Sequence, residues 1–246
     1  YIKEASLTLN IIISLGLPLE YNGKLYNCAL LLYRGIILGI VPKTYLPNYN
    51  EFYEKRWFTP APKDTVYIDI LGQKVPFGTK LIFKAKDYDH IAIAMEICED
   101  VWAPVPPSCY HAQAGATIIA NLSAGNEITG KAAYRRALVQ NQSARLICGY
   151  IYACAGQGES TTDVVFSGHN LICENGIILN EGKRFENGTI YGDIDVDRLI
   201  SERRRNTSFE TDTEGYTTIE FEFHPNNSQP ERYIDPHPFV PSNDAD

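Results

Sequence analysis

The 246-residue sequence has a single methionine, Met95, and its six cysteines (Cys28, Cys98, Cys109, Cys148, Cys154 and Cys173) include no C-x-x-C spacing. None of them stands with closely spaced histidines, so the sequence indicates neither a metal site nor a disulfide framework, and a reducing, cytoplasmic setting fits best. No apolar run approaches the length of a membrane span, and no charged-then-apolar leader is present. A membrane partner is therefore not expected. The stretch Gly156-Gln-Gly158-Glu-Ser-Thr has no Gly-Lys-Ser/Thr and no strand-to-helix setting, so it reads as a loop over 156–161 rather than a phosphate cradle. A basic excess is also missing. Residues 206–246 hold nine acids against Arg232 alone, which accounts for the whole net charge of −8 and leaves the first 205 residues with 21 charges of each sign. That balance argues against nucleic acid as a partner. With the only methionine deep inside the chain, further residues are expected upstream of Tyr1.

What is present is an apolar content of 44%, ample for one large α/β core. Residues 10–17 form a β-branched apolar run, Asn22-Gly23 signals a hairpin, and residues 25–33 alternate as a returning strand, with 35–41 continuing the sheet. Residues 65–71 and 81–85 read as shorter strands around a turn at Gly72-Gln73. Residues 91–97 alternate Ile91, Ile93, Met95 and Ile97 with alanines, the pattern of a strand buried on both faces. Cys98 is its expected last residue. Pro104, Pro106 and Pro107 then force a turn into a helix over 107–115. A second buried strand over 116–122, a helix over 131–143 with Leu138, Val139 and Leu146 as its apolar stripe, and a strand over 148–153 complete a β-α-β alternation. It implies at least three parallel strands with helices on one face. Residues 166–173, 176–180 and 189–195 are expected to form a meander and 196–205 a short charged helix. Beyond that, the rise in Pro, Asn and acids reads as a linker over 206–246, with 219–223 its one strand-like patch.

The chemistry concentrates at two strand ends. Cys98 is followed directly by Glu99 and Asp100. The long aromatic segment 42–58 carries Lys43, Glu54 and Arg56. A thiol is only about a few per cent thiolate near neutrality, and a neighbouring ammonium favours the thiolate. The same ammonium can stabilise an oxyanion together with the backbone N–H that follows the nucleophile. Without such a setting, Cys98 reads as one more buried thiol, Lys43 as a solvated lysine, and Glu54 with Arg56 as a surface ion pair worth at most about 1 kcal/mol.

Val41-Pro-Lys43-x-x-Leu-Pro47-x-Tyr49-x-x-Phe52-x-Glu54-x-Arg56-x-Phe58, followed 55 residues after the lysine by Ile-Cys98-Glu99-Asp100-x-Trp102, resembles the nitrilase and amidase superfamily. The runs Ser14-Leu-Gly-Leu-Pro-Leu, Tyr26-Asn27-Cys-Ala and Asn121-Leu-Ser-Ala narrow the likeness to the glutaminase domains of glutamine-dependent NAD synthetases. The resemblance covers residues 10–205 and implies a nitrilase-like α-β-β-α sandwich for a domain of residues 1–205. Residues 206–246 would then lead towards a synthetase domain elsewhere in the parent chain.

Carried over position by position, the resemblance implies Cys98 as the nucleophile on the side-chain amide of L-glutamine, releasing ammonia from a thioester. Lys43 would stabilise the oxyanion with the N–H of Glu99, and Glu54 would orient the lysine and substrate. Tyr49, Glu99 and Lys131 would shape the glutamine pocket. Two departures stand out. The general-base glutamate of the family has no counterpart in 1–42 and is expected before Tyr1. The Asn-x-Ser-x-Ser-Pro pattern of many relatives reads Asn121-Leu-Ser123-Ala-Gly125-Asn126 here, so Ser123 or a backbone group must replace the hydroxyl that Gly125 lacks. No cofactor is expected on this chain, ATP and deamido-NAD belonging to the synthetase domain, and a homo-oligomer is implied. The competing readings are a stand-alone amidase acting on another small amide, a non-catalytic scaffold, and a Cys-His hydrolase using His90 or His169.

Overall fold

A computed structural model describes residues 1–159, 162–225 and 229–234. Residues 160–161 of the loop over 156–161, and 226–228 and 235–246 of the acidic segment, lie outside the described residues. A helical turn, α1 (Ile2–Ala5), precedes β1 (Ile12–Tyr21), β2 (Lys24–Tyr33), β3 (Ile36–Pro42), β4 (Val66–Ile70) and β5 (Gln73–Phe77), which form a sheet in the order β1-β2-β3-β5-β4. Asn22 and Gly23 both take positive φ (50° and 70°), the two-residue turn whose twist matches its strands. Leu71 and Gly72 do the same between β4 and β5 (46° and 75°), one residue earlier than expected. β5 is a strand beyond those expected: Pro76 stands opposite Tyr67 in its ladder, and Ile40↔Phe77 joins it to β3.

The second sheet holds β6 (Leu81–Ala85) and β7 (Ala92–Ile97); then, after α2 (Pro107–Gln113), β8 (Ile118–Ser123); and, after α3 (Lys131–Leu146), β9 (Gly149–Cys154). It is completed by β10 (Leu171–Glu174), β11 (Ile177–Glu181) and, beyond α4 (Val196–Arg205), β12 (Thr217–Phe221), in the order β11-β10-β9-β8-β7-β6-β12. β7, β8 and β9 are parallel, as the alternation implied. The two sheets face each other across Leu31, Val41, Phe83, Met95 and Ile97. The other face of the second sheet packs Ala94, Ile119 and Tyr150 against Ala112 of α2 and Val139 and Leu146 of α3. α1 and the turn Ser6–Thr8 sit against the β2–β3 turn, where Ser6 Oγ accepts from Gly35 N at 3.0 Å. The layers are those of the α-β-β-α sandwich, with most of the helical weight on one side.

Two expectations differ. Residues 189–195 make no strand ladder; the N–H of Asp195 is taken by buried Glu174 Oε2 at 2.6 Å instead. The segment read as a linker joins the body, because β12 pairs in parallel with β6. Its Ile219 and Phe221 turn towards the inter-sheet core while Glu220 and Glu222 stay exposed, as suits an edge strand. Further on, Arg232 donates to both oxygens of Glu174 at 2.7–2.8 Å.

Candidate active site

The carboxyl ends of β7, β8 and β9 open on one cavity of about 470 Å³, lined by Cys98, Ser123 and Cys154 from those ends and by Lys43 and Glu54 from the long segment after β3. Parallel strands point their ends the same way, which is why three residues 25 to 56 positions apart meet there. Cys98 lies one residue past β7, at the start of a 3-10 turn Cys98–Trp102, with φ of +47°. That left-handed conformation is uncommon for a residue with a side chain and makes a sharp elbow. Its N–H donates to Asn121 Oδ1 at 3.2 Å. Asn121 Nδ2 donates to Tyr150 Oη, which in turn donates to Glu96. Glu96 is fully buried in mid-strand, and desolvation raises its carboxyl above the usual range.

Lys43 is 1% exposed, so the solvated-lysine reading fails. Its Nζ donates to Glu54 Oε1 at 2.6 Å, while Glu54 Oε2 is buried without a partner. The pair is Lys43–Glu54 rather than Glu54–Arg56; Arg56 stacks over the Tyr53 ring at 5.6 Å. Cys98, Lys43, Glu54 and Ser123 thus line one cavity. Tyr49, Glu99 and Lys131 are outside that lining. Tyr49 Oη donates to Glu99 Oε1 at 2.7 Å, and burial, then Glu99, raises the phenol. Lys131 lies over Trp102 and Phe52 at 5.3 and 5.5 Å, donates to Asn126, and is lowered by burial and then by Arg135. Ser123 Oγ shares a 2.6 Å hydrogen bond with Tyr152 Oη, and a Cβ on Gly125 would stand 3.3 Å from that same oxygen. His90 pairs with Asp197, and His169 bridges Arg135 and Glu181; neither lines the cavity.

The sequence reading did not single out Asn121, Asp100 or Cys154. Asp100 is buried, and its oxygens accept from Ile97 N and Tyr45 N. An acid directly behind a buried strand, with no solvent-facing period, was the available signal.

Fold and geometry together define a class of protein, an α-β-β-α sandwich that gathers a thiol, a buried ammonium and a carboxylate at the ends of parallel strands. The chain belongs to the carbon-nitrogen hydrolase family, whose profile matches residues 2–204. It is 40% identical to the glutamine-dependent NAD(+) synthetase of Mycobacterium leprae, over 98% of this chain and 37% of that protein. It is 41% identical to that of Mycobacterium bovis, over 94% of this chain and 36% of that protein. The chain therefore spans little more than a third of the length of these relatives. Among solved structures it is similar to a glutamine-dependent NAD(+) synthetase from Cytophaga hutchinsonii, with a TM-score of 0.65 and 33% identity over 75% of this chain and 30% of that one. A carbon-nitrogen hydrolase from Helicobacter pylori shares the fold, with a TM-score of 0.66 and 17% identity over 83% of this chain and 69% of that one.

Proposed function

We propose that this chain is the glutamine amidohydrolase part of a glutamine-dependent NAD synthetase. The carrying observation is the buried Lys43–Glu54 pair opening on the same cavity as Cys98. Cys98 Sγ attacks the side-chain amide carbon of L-glutamine, and the carbonyl electrons move to oxygen. Lys43 Nζ and the N–H of Glu99 stabilise that oxyanion, the N–H of Cys98 itself being spent on Asn121. Collapse breaks the C–N bond, the departing nitrogen takes up the proton that the thiol gave up and leaves as ammonia, and a thioester remains. Water then cleaves the thioester to glutamate and restores the thiol. Glu54 holds the ammonium through one oxygen, and its unpartnered oxygen is placed to accept from the substrate amide.

Tyr49, Glu99 and Lys131 hold the charged head of glutamine, and Ser123 with the backbone at Gly125 forms the opposite wall. The ammonia serves amidation of deamido-NAD on a synthetase domain of the parent chain, which alone needs ATP. A cytoplasmic homo-oligomer is part of the same reading. Among the described residues no helix is long and apolar enough to cross a membrane.

Treatment with an electrophilic glutamine analogue, followed by peptide mapping, tests the proposal. Labelling is expected at Cys98 alone, suppressed by glutamine and not by asparagine. Equal labelling of several cysteines, or protection by asparagine as strong as by glutamine, would overturn it.

A further inference from the structure

Lys43 and Cys98 are 55 residues apart, and each sits where its strand has just ended. Lys43 N donates to Asn27 O at 2.8 Å, the last contact of β3 with its neighbour; beyond it the chain leaves the sheet. Cys98 stands on a strained elbow with positive φ. Strand pairing alone therefore does not set the two functional groups against each other. The buried carboxylate of Asp100 does. Its Oδ1 accepts from Tyr45 N at 2.8 Å, and its Oδ2 accepts from Ile97 N at 2.9 Å and lies 3.5 Å from Thr44 N. Thr44 and Tyr45 directly follow the lysine, and Ile97 directly precedes the thiol.

We propose that Asp100 is a positioning residue, which fixes the Lys43 ammonium relative to the Cys98 thiol by holding backbone donors on both sides with one carboxylate. The inference rests on the reading of Cys98 and Lys43 as reacting thiol and stabilising cation. Because each hydrogen-bond partner of the carboxylate is a backbone N–H, both oxygens are needed as acceptors. Asparagine at this position would turn an NH₂ against either Tyr45 N–H or Ile97 N–H, and one side of the clamp would have to let go. A misplacement on the order of 1 Å at reacting groups costs about a hundredfold in rate.

The test uses Asp100→Asn and Asp100→Ala beside the parent protein at about pH 8. Three quantities are read: glutamine kcat and KM, the rate of Cys98 alkylation by iodoacetamide, and hydrogen exchange of the amides of residues 44, 45 and 97. The expected result is a fall of about a hundredfold in kcat with KM within about threefold. Alkylation of Cys98 should slow about tenfold, and protection should be lost at all three amides together. A variant that melts earlier yet keeps kcat and alkylation within about twofold of the parent, per folded molecule, would reduce Asp100 to a packing role and overturn the proposal. If neither variant folds, exchange in the parent decides: Tyr45 and Ile97 should open as one unit, and protection differing by more than about a hundredfold would refute the clamp. If the protein does not turn over glutamine, alkylation and exchange still decide what Asp100 does, and the labelling of Cys98 by the electrophilic glutamine analogue decides the functional reading.

Discussion

The two ends of the parallel strands each hold a cation away from bulk water, and they use it differently. At the amino ends Arg203 of α4 spends its guanidinium on backbone carbonyls: Nε on Ile147 at 3.0 Å, Nη2 on Ala116 at 2.7 Å and Leu146 at 3.0 Å, Nη1 on Ala112 at 3.5 Å. Its plane rests on Phe209 at 4.6 Å, and burial lowers it to about 10. At the carboxyl ends Lys43 is more deeply buried, yet Glu54 takes only one of the three donors an ammonium carries, and that carboxylate has an oxygen to spare. A cation whose donors end on backbone carbonyls is a fastener. A cation with donors facing a cavity is prepared for charge that develops later.

Exchanging each cation for a methionine of similar length is the strongest way to break that contrast. Lys43→Met is expected to lower kcat/KM for glutamine by about a thousandfold, the loss of one preorganised oxyanion donor, and, because the Glu54 side chain is 24% exposed and can draw on solvent once unpaired, to change stability by no more than about 2 kcal/mol. Arg203→Met should do the reverse. It leaves carbonyls of two strand starts unpaired, costing about 2–3 kcal/mol in denaturant unfolding, while kcat of the folded protein stays within about twofold. Similar stability losses in both variants, or similar activity losses, would mean that the two ends are not specialised.

How much of this the sequence discloses follows the same division. Features that repeat or turn were legible: the Asn22-Gly23 hairpin, the alternation from β7 to β9, and α4, expected and found over residues 196–205. Features made by pairing with a distant partner were not. β5 is interrupted by Pro76, and β12 is legible only as a strand-like patch over 219–223; neither shows where it belongs until the neighbouring strand is known. In the site, Cys98 looked like the end of a strand, and the positive φ that turns it into an elbow has no signature in a non-glycine residue. Lys43 and Glu54 stand out as ionisable groups in the long aromatic segment and their roles come from motif resemblance, since nothing in their own neighbourhood foretells a lysine that is 1% exposed. Asp100 and Asn121 stand in the motifs, yet the sequence gives them no role, because the contacts that matter are with the backbone N–H groups of Ile97, Tyr45 and Cys98, which carry no residue code.

The contrast extends to two buried titrating groups. His111 of α2, hydrogen-bonded to Tyr216 at 2.8 Å, is lowered by burial to about 4. Asp100 is raised to about 7 by burial first and by Glu96 second, with the N–H groups of Ile97 and Tyr45 and the Lys43 ammonium pulling the other way. Below about pH 6.5 the unfolded chain protonates its histidine before the folded protein does, so the stability owed to a neutral His111 is lost as pH falls towards 4. Above about pH 4 the unfolded chain ionises its aspartate first, so Asp100 costs stability as pH rises towards 7. The two slopes oppose each other across one window. His111→Phe should therefore lose stability relative to the parent on going from pH 4 to 7, and Asp100→Asn should gain it, each by about 1 kcal/mol per pH unit in urea unfolding. Equal slopes in parent and variants would show that the groups titrate alike in folded and unfolded chains.

The finest comparison needs only a methyl group at each end of neighbouring strands. At Gly125, beyond the end of β8, an added Cβ would stand 3.3 Å from Tyr152 Oη and 3.5 Å from Ser123 Oγ. Those atoms form the hydrogen-bonded pair beside the cavity and can give by a few tenths of an ångström. At Gly149, the start of β9, an added Cβ would meet two carbons of Ile194 at 2.8 Å, closer than packed carbons stand, so the Ile194 side chain would have to shift. Gly125→Ala is expected to leave unfolding within about 0.5 kcal/mol of the parent but to raise KM for glutamine a few fold, because it crowds the wall on which the substrate rests. Gly149→Ala should leave KM untouched and lower stability by about 1–3 kcal/mol, the usual cost of overfilling a packed site. If Gly125→Ala leaves KM unchanged, glutamine does not rest against residues 123–125, and the hydroxyl that Gly125 lacks has no substitute on that wall.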